Sequence, residues 1–386
     1  MLADVLLLTM LAANDWPQWR GPNRDAVSTA TVAKWPAKLT ARWKLDIGEG
    51  HSSPIFAAGR IYVLARQKDQ EIVRAVDPAT GKVIWQQSYA TPYEMNSAAT
   101  SHGKGPKSTP LFANGRLYTF GIQGMLSCWD AATGKPLWKH DFKASPDFGT
   151  AMSPVAFGNN IIVHGPSGLT SFDAATGKPA WIWTEDGPAY SSPVIAMVAG
   201  VPQLITQTYK HLIAVDARTG KSIWKVPFQT AYDQNSVTPM VQNGVLVYSG
   251  LDRGLTAARL TATGPQTIWK NDKLPLYMNS PLWRDGRLCG FTHKNKGQLF
   301  CVDDKTGQAL WTSPPRQGEN AALLLMADTI LALTDDAKLR AVKWQATGYQ
   351  LLHEYEAAPS ATWAHPAPVP GGIVIKDVQT LYFYPL

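Results

Sequence analysis

The chain has 386 residues, 45% of them hydrophobic and only 17% charged, with 15 tryptophans. That balance excludes a disordered or low-complexity protein and supplies a large buried core. The net charge of +7 comes from 36 Lys and Arg against 29 Asp and Glu. These are scattered with no basic and aromatic stripe, which excludes nucleic acid as a partner and leaves a solvated basic surface.

In chain order, Val5 to Ala13 is an apolar run ending in Leu11-Ala12-Ala13, read as a signal peptide over residues 1–13 although Met1 to Asp4 holds no Lys or Arg. Export to the periplasm or the medium is expected. No Cys follows the run, so no lipid anchor is expected, and no other segment approaches the ~18 apolar residues of a membrane helix. Residues 14–40 form an N-terminal extension in which Trp16, Trp19 and Arg20 are expected to plug the outside or base of the domain. Arg42 to Ile47 then reads as a strand.

From residue 77 onward one phrase recurs. Asp77-Pro-Ala-Thr-Gly81-Lys-Val-Ile-Trp85 returns as Asp130/Gly134/Trp138, Asp173/Gly177/Trp181, Asp216/Gly220/Trp224 and Asp303/Gly307/Trp311, with degraded copies at Gly264 and Gly348. The glycines are separated by 53, 43, 43, 44, 43 and 41 residues. A period of about 40 to 50 residues built from short strands marks a propeller blade. A second phrase, Ser-Pro or Thr-Pro followed by an apolar run, opens each blade at Ser53, Thr109, Ser153, Ser192, Thr238 and Ser280, weakly at Ala321, and as His365-Pro366.

Eight openings against seven closing phrases leave one blade unfinished. Trp43 lies one period before Trp85, so the strand at Arg42 to Ile47 is expected to complete the last blade and remove a free sheet edge. The fold class is therefore all-β: one eight-bladed propeller over residues 41–386, with four-stranded antiparallel blades and a last blade closed by both termini. The Asp-x-x-Thr-Gly step is a turn in which Asp caps backbone N–H groups and Gly takes positive φ. The following Trp is expected to pack on the adjacent blade, its indole N–H finding one acceptor. Residues that recur in every blade build the fold and not a site.

Cys128 and Cys301 occupy the same blade position, and Cys289 lies across a hairpin from Cys301. A disulfide there fits an exported protein only if the register agrees to one residue. No Cys/His spacing matches a zinc site, and no metal site is expected.

The repeat, the Ser-Ser-Pro strands at Ser52 and Ser191, and the opening Trp16-Pro-Gln-Trp-Arg-Gly-Pro-Asn-Arg-Asp25 resemble the pyrroloquinoline quinone (PQQ) repeat superfamily over residues 14 to 386. That resemblance implies one of two functions. One is a BamB-like scaffold that binds a protein or small polar or anionic ligand; the other is a dehydrogenase of alcohols or sugars using PQQ with calcium. A quinoprotein needs basic and amide donors for three carboxylates, an aromatic floor, oxygen ligands for Ca²⁺ and a carboxylate base. The sequence lacks the adjacent cysteine pair and the long insertions of the quinoprotein alcohol dehydrogenases. The scaffold is the preferred reading, as a monomer, with PQQ and calcium belonging to the alternative.

Residues just before each inner strand converge on a propeller axis. They supply Glu49, His51 and Glu319 as candidate acids, bases or ligands, and Lys107, Asn235, Asn279, Asn320, Trp363 and His365 as candidate binding groups, with Met152 and Tyr190 on the same rim. The loop from Tyr89 to Lys107 is ten residues longer than its counterparts and adds Glu94, Asn96, His102 and Lys104. Loops on a rigid scaffold are where function concentrates.

Overall fold

The computed structural model describes residues 15–386; the expected signal segment lies outside the described residues. Eight twisted sheets surround one axis. Blade 1 takes Ile55–Ala57, Arg60–Gln67, Gln70–Val76 and Val83–Ala90 from the inside outward. Blade 2, of Leu111–Ala113, Arg116–Phe120, Met125–Asp130 and Pro136–Asp141, repeats the plan, and the rest follow. Burial follows the radial position: the second and third strands are almost wholly buried, whereas the outer ones alternate. In the last blade Trp43–Asp46 pairs antiparallel with Thr380–Pro385, so the ring is closed by strands from both ends of the sequence.

The repeated phrase works as a latch between blades. In the blade 1 turn, Asp77 Oδ1 accepts from the backbone N–H and hydroxyl of Thr80, both at 2.8 Å. Those donors hold the Asp77 carboxyl below its usual range. Asp130, Asp173 and Asp303 accept from Thr133, Thr176 and Thr306 in the same way, whereas Asp216 caps the Arg218 N–H. Trp85 then lies on the equivalent turn of blade 2, its Nε1–H donating to Ala131 O at 3.0 Å. Gly134 there has φ +75°, and a Cβ on it would meet the Trp85 ring at 2.6 Å, so the turn conformation and the overlying ring both require glycine. Gly81, Gly177, Gly220 and Gly307 lie likewise under Trp43, Trp138, Trp181 and Trp269, each ring coming from the preceding blade. Trp138, Trp181, Trp269 and Trp311 donate to the next blade, and Trp43 closes the circle on Pro78 O. Trp224 departs from the pattern. It bonds to Gln203 Oε1 within its own blade, and the Gly264 it faces belongs to a degraded copy of the turn.

The second phrase builds a belt of hydroxyls around the axis. Ser53 N donates to Thr109 Oγ1, Thr109 N to Ser153 Oγ, Ser153 N to Ser192 Oγ, Ser192 N to Thr238 Oγ1 and Thr238 N to Ser280 Oγ, all within 2.9–3.2 Å. His365 N donates to Ser53 Oγ at 2.9 Å. Each opening Ser or Thr thus satisfies a buried N–H of the preceding blade, a role that strand periodicity does not disclose. The belt is open at blades 7 and 8, whose opening residues Ala321, Ala322 and His365 carry no hydroxyl.

The N-terminal extension does not sit on the outside of the ring. Residues 16–28 thread the axial channel. Trp16 bridges to Phe56, Phe112 N donates to Pro17 O, Arg24 donates to Ser153 O and Pro154 O, and Arg20 donates to Pro281 O. Val27–Ser28 then pairs in parallel with the inner strand of blade 7, Ala321–Met326. That strand is six residues long against three in blades 1 and 2. In blade 6, Cys289 and Cys301 stand directly opposite in the register and are joined by a disulfide, whereas Cys128 is buried as a free thiol.

Candidate functional site

Loops that join each outer strand to the next inner strand surround a funnel of about 260 Å³ on one face of the ring. Its floor is Trp19, held in the channel with the Arg20 and Arg24 guanidinium carbons 5.5 and 5.6 Å from its ring centre and the His365 ring 5.5 Å away, edge-on. The plug therefore makes the ring a cup and not a tube. An adjoining outer cavity of about 840 Å³ shares His102, Tyr277, Met278, Asn320 and Trp363 with the cup, so the two are continuous. The repeat residues, Gly81, Gly134, Gly177, Gly220 and Gly307 with their Asp and Trp partners, line neither cavity.

Six of the candidate residues line the cup together: His51, His102, Lys107, Asn320, Trp363 and His365. The long loop builds one wall, since a 3-10 turn over Ser97–His102, capped by Asn96 Oδ1 accepting from Ala98 N, brings His102 inward. The His102 ring lies 4.7 Å from Trp363, edge-on, and His51 Nε2–H donates to His102 O at 2.9 Å. Because a carbonyl only accepts, the His51 proton sits on Nε2. Burial, reinforced by Lys376, His102 and Lys107, pulls the His51 pKa down to about 3. Burial and Arg20 do the same to His365, also to about 3, and His102 is lowered by burial and Lys107. The histidines are neutral hydrogen-bonding groups at pH 7.

Lys107 is the cationic group of the cup. Its Nζ donates to Phe148 O at 2.6 Å, and burial lowers its pKa to about 8, which leaves it mostly charged at pH 7. Beneath the wall, Lys376 is fully buried and donates to Gly50 O, Asp377 O and Val378 O. Burial draws it down to about 7 against the opposing charges of Asp377, Glu49 and Asp46, and the three carbonyls accept its ammonium N–H groups. Tyr190 lines the cup as expected, its hydroxyl accepting from Phe148 N. The rim rule does not reach Phe148, which precedes its inner strand by more residues than any rim candidate, and it selects Asn279 where Tyr277 lines the cup; Trp19, expected in the plug, reaches the cup from there.

The remaining candidates stand elsewhere. Glu49 is exposed, its backbone bridged to Arg66 outside the cup. Glu319 is exposed on the outer cavity, and its backbone N–H is capped by Asp335 Oδ1. Asn235 is buried and structural: its Nδ2 donates to Thr208 O and Phe228 O, and its Oδ1 accepts from Thr230 N. Asn279 donates to Phe291 O and to Asn320 Oδ1, and it bridges blades 6 and 7 where the hydroxyl belt is open. Glu94 and Lys104 are exposed and Asn96 serves its turn. Met152 points into the core beside Phe120 and Phe172, and Ala151 lines the cup in its place.

The cup's donor set can be matched to chemistry. It offers one ammonium, imidazoles, hydroxyls, amides and aromatic rings, and no carboxylate lines it. Among the described residues no three His, Cys, Asp or Glu side chains come together as a metal set. Ca²⁺ takes six to eight oxygen ligands, carboxylates among them, so the cup's own lining does not fit a calcium-bound quinone, and the carboxylates Glu319 and Asp336 line the adjoining outer cavity instead.

Residues 68–313 match the family model described as "Outer membrane protein assembly factor BamB". The chain belongs to this PQQ-repeat family. Its fold is shared by BamB from Moraxella catarrhalis at TM-score 0.67 and 16% identity, over 91% of this chain and 98% of that one. A quinohemoprotein alcohol dehydrogenase from Comamonas testosteroni is similar at TM-score 0.70 and 16% identity, over 96% of this chain and 80% of that one. A europium-containing methanol dehydrogenase is similar at TM-score 0.58 and 13% identity, over 97% and 98% of the two chains. No curated protein sequence matches this one. These structures share an architecture that serves both scaffolds and enzymes, so the fold does not choose between them.

Proposed function

We propose that this protein is an exported, non-catalytic scaffold that binds a polypeptide partner on its funnel face. The observation that carries this reading is the cup itself. It is preformed, floored by the protein's own Trp19, walled by aromatic rings and lined by no carboxylate that could serve as base or calcium ligand. The family's description as an outer-membrane assembly factor and the Cys289–Cys301 disulfide support an envelope location. The rim offers purchase for a partner, since Tyr232 is 81% exposed on the loop entering blade 5.

A photo-crosslinking amino acid at Tyr232 or Asn295, both on the funnel face, tests the reading in the host envelope. Adducts with a polypeptide are expected there and not at Ile182 on an outer strand. Adducts only at Ile182, or at none of the three, would overturn it.

A further inference from the structure

The cup contains an uncompensated charge. Lys376 has Asp377, Glu49 and Asp46 nearby, and Arg20 has Asp25, but the Lys107 shift has burial as its one cause and no carboxylate lies within 4.0 Å of it among the described residues. Phe148 O takes one of its three N–H groups. An ammonium half-removed from water in a carboxylate-free cup is unfavourable alone and favourable beside an anion. Arg20 and Arg24, buried under the floor, add to a positive field that narrow walls focus upward.

The shape selects among anions. The cup opens sideways into the outer cavity, giving a trough too long for a small ion and suited to an extended polypeptide. Along that trough Lys296 and Arg316 are balanced by Glu319 and Asp336, so its outer part sets no preference for charge. The selective contact is at Lys107. We propose that the funnel binds an extended peptide by one carboxylate seated on Lys107, with flanking side chains against Trp363 and Tyr277.

This inference rests on the scaffold reading, and the carboxylate's two sources are an acidic side chain and a free peptide terminus. Calorimetric titration of the intact protein would use four synthetic peptides: Gly-Ser-Tyr-Glu-Tyr-Ser-Gly blocked at both ends, its Gln and Lys counterparts, and a blocked-amine Gly-Ser-Gly-Tyr with a free carboxyl terminus. The Glu peptide or the free-acid peptide should bind at least about tenfold tighter than the Gln peptide. Lys107→Gln should erase that difference and leave the Gln peptide within about twofold, while the exposed Lys104→Gln in the same loop changes nothing; matching melting curves verify both folds. Equal binding of the Glu, Gln and free-acid peptides, preference for Lys, a carboxylate preference that survives Lys107→Gln, or no peptide binding overturns the inference. Competition by acetate or phosphate at the peptide's own concentration overturns the peptide class. These failures leave the scaffold reading standing, whereas PQQ-dependent turnover would remove both.

Discussion

Thr109→Val tests the hydroxyl belt. Thr109 is 1% exposed and its Oγ1 accepts from Ser53 N at 3.2 Å, while its own N–H donates to Ser153 Oγ. Valine keeps the shape and the second bond but leaves the buried Ser53 N–H without an acceptor. An orphaned donor of this kind costs about 1–3 kcal/mol. With an unfolding entropy near 2.1 cal/mol/K per residue, a 386-residue protein loses only about 1–4 °C of Tm for that cost. Hydrogen exchange is therefore the sharper assay: the Ser53 amide should exchange about 5- to 150-fold faster while amides in the far blades keep their protection. Thr306→Val is the control, because its hydroxyl bonds to Asp303 in an exposed turn where water replaces it, for a change within about 0.5 kcal/mol. Equal effects at the two positions, or unchanged protection at Ser53, would refute the belt as a structural element.

Trp85→Phe should destabilise by about 1–3 kcal/mol in denaturant titration, since it removes the 3.0 Å bond to Ala131 O and part of the ring covering Gly134. Stability should fall as pH drops below 6.5. His51 and His365 have folded pKa values of about 3 and His164 about 4, against 6.5 unfolded, so the unfolded state binds the extra protons. Each contributes up to about 1.4 kcal/mol per pH unit. Glu71, raised by burial, opposes them in the acid range, and urea midpoints between pH 7 and 5 measure the net. A midpoint that rises on acidification would contradict the assignment. Thiol titration of the denatured, unreduced protein should find one thiol, Cys128, and three after reduction.

Blade number, strand order and ring closure were all legible from residue types, because turn and latch chemistry repeats every blade and needs only local spacing. Gly177, Gly220 and Gly307 show the limit of that legibility: their place in the turn is local, but the rings that cover them come from the blade before. The Ser and Thr of the opening phrase were visible without their role, since each hydroxyl's partner belongs to another blade. The disulfide needed a register of one residue, which alternation alone leaves open and the pairing of Arg287–Thr292 with Gln298–Asp303 supplies. The rim rule found His51, Lys107, Asn320, Trp363 and His365 but could not separate side chains that face the axis from those that tie loops, as Asn235 does with its three backbone bonds. The plug was expected at the outside or base of the ring, and its course through the channel was not legible because the carbonyls that receive Arg20 and Arg24, those of Pro281, Ser153 and Pro154, belong to distant blades.

The central claim is that this PQQ-repeat propeller binds without quinone chemistry. Equilibrium dialysis against micromolar PQQ and millimolar Ca²⁺, followed by an artificial electron acceptor with an alcohol and sugar panel, tests it most directly. The account predicts neither stoichiometric PQQ retention nor turnover. One PQQ retained per protein molecule, with calcium-dependent substrate oxidation, would contradict it.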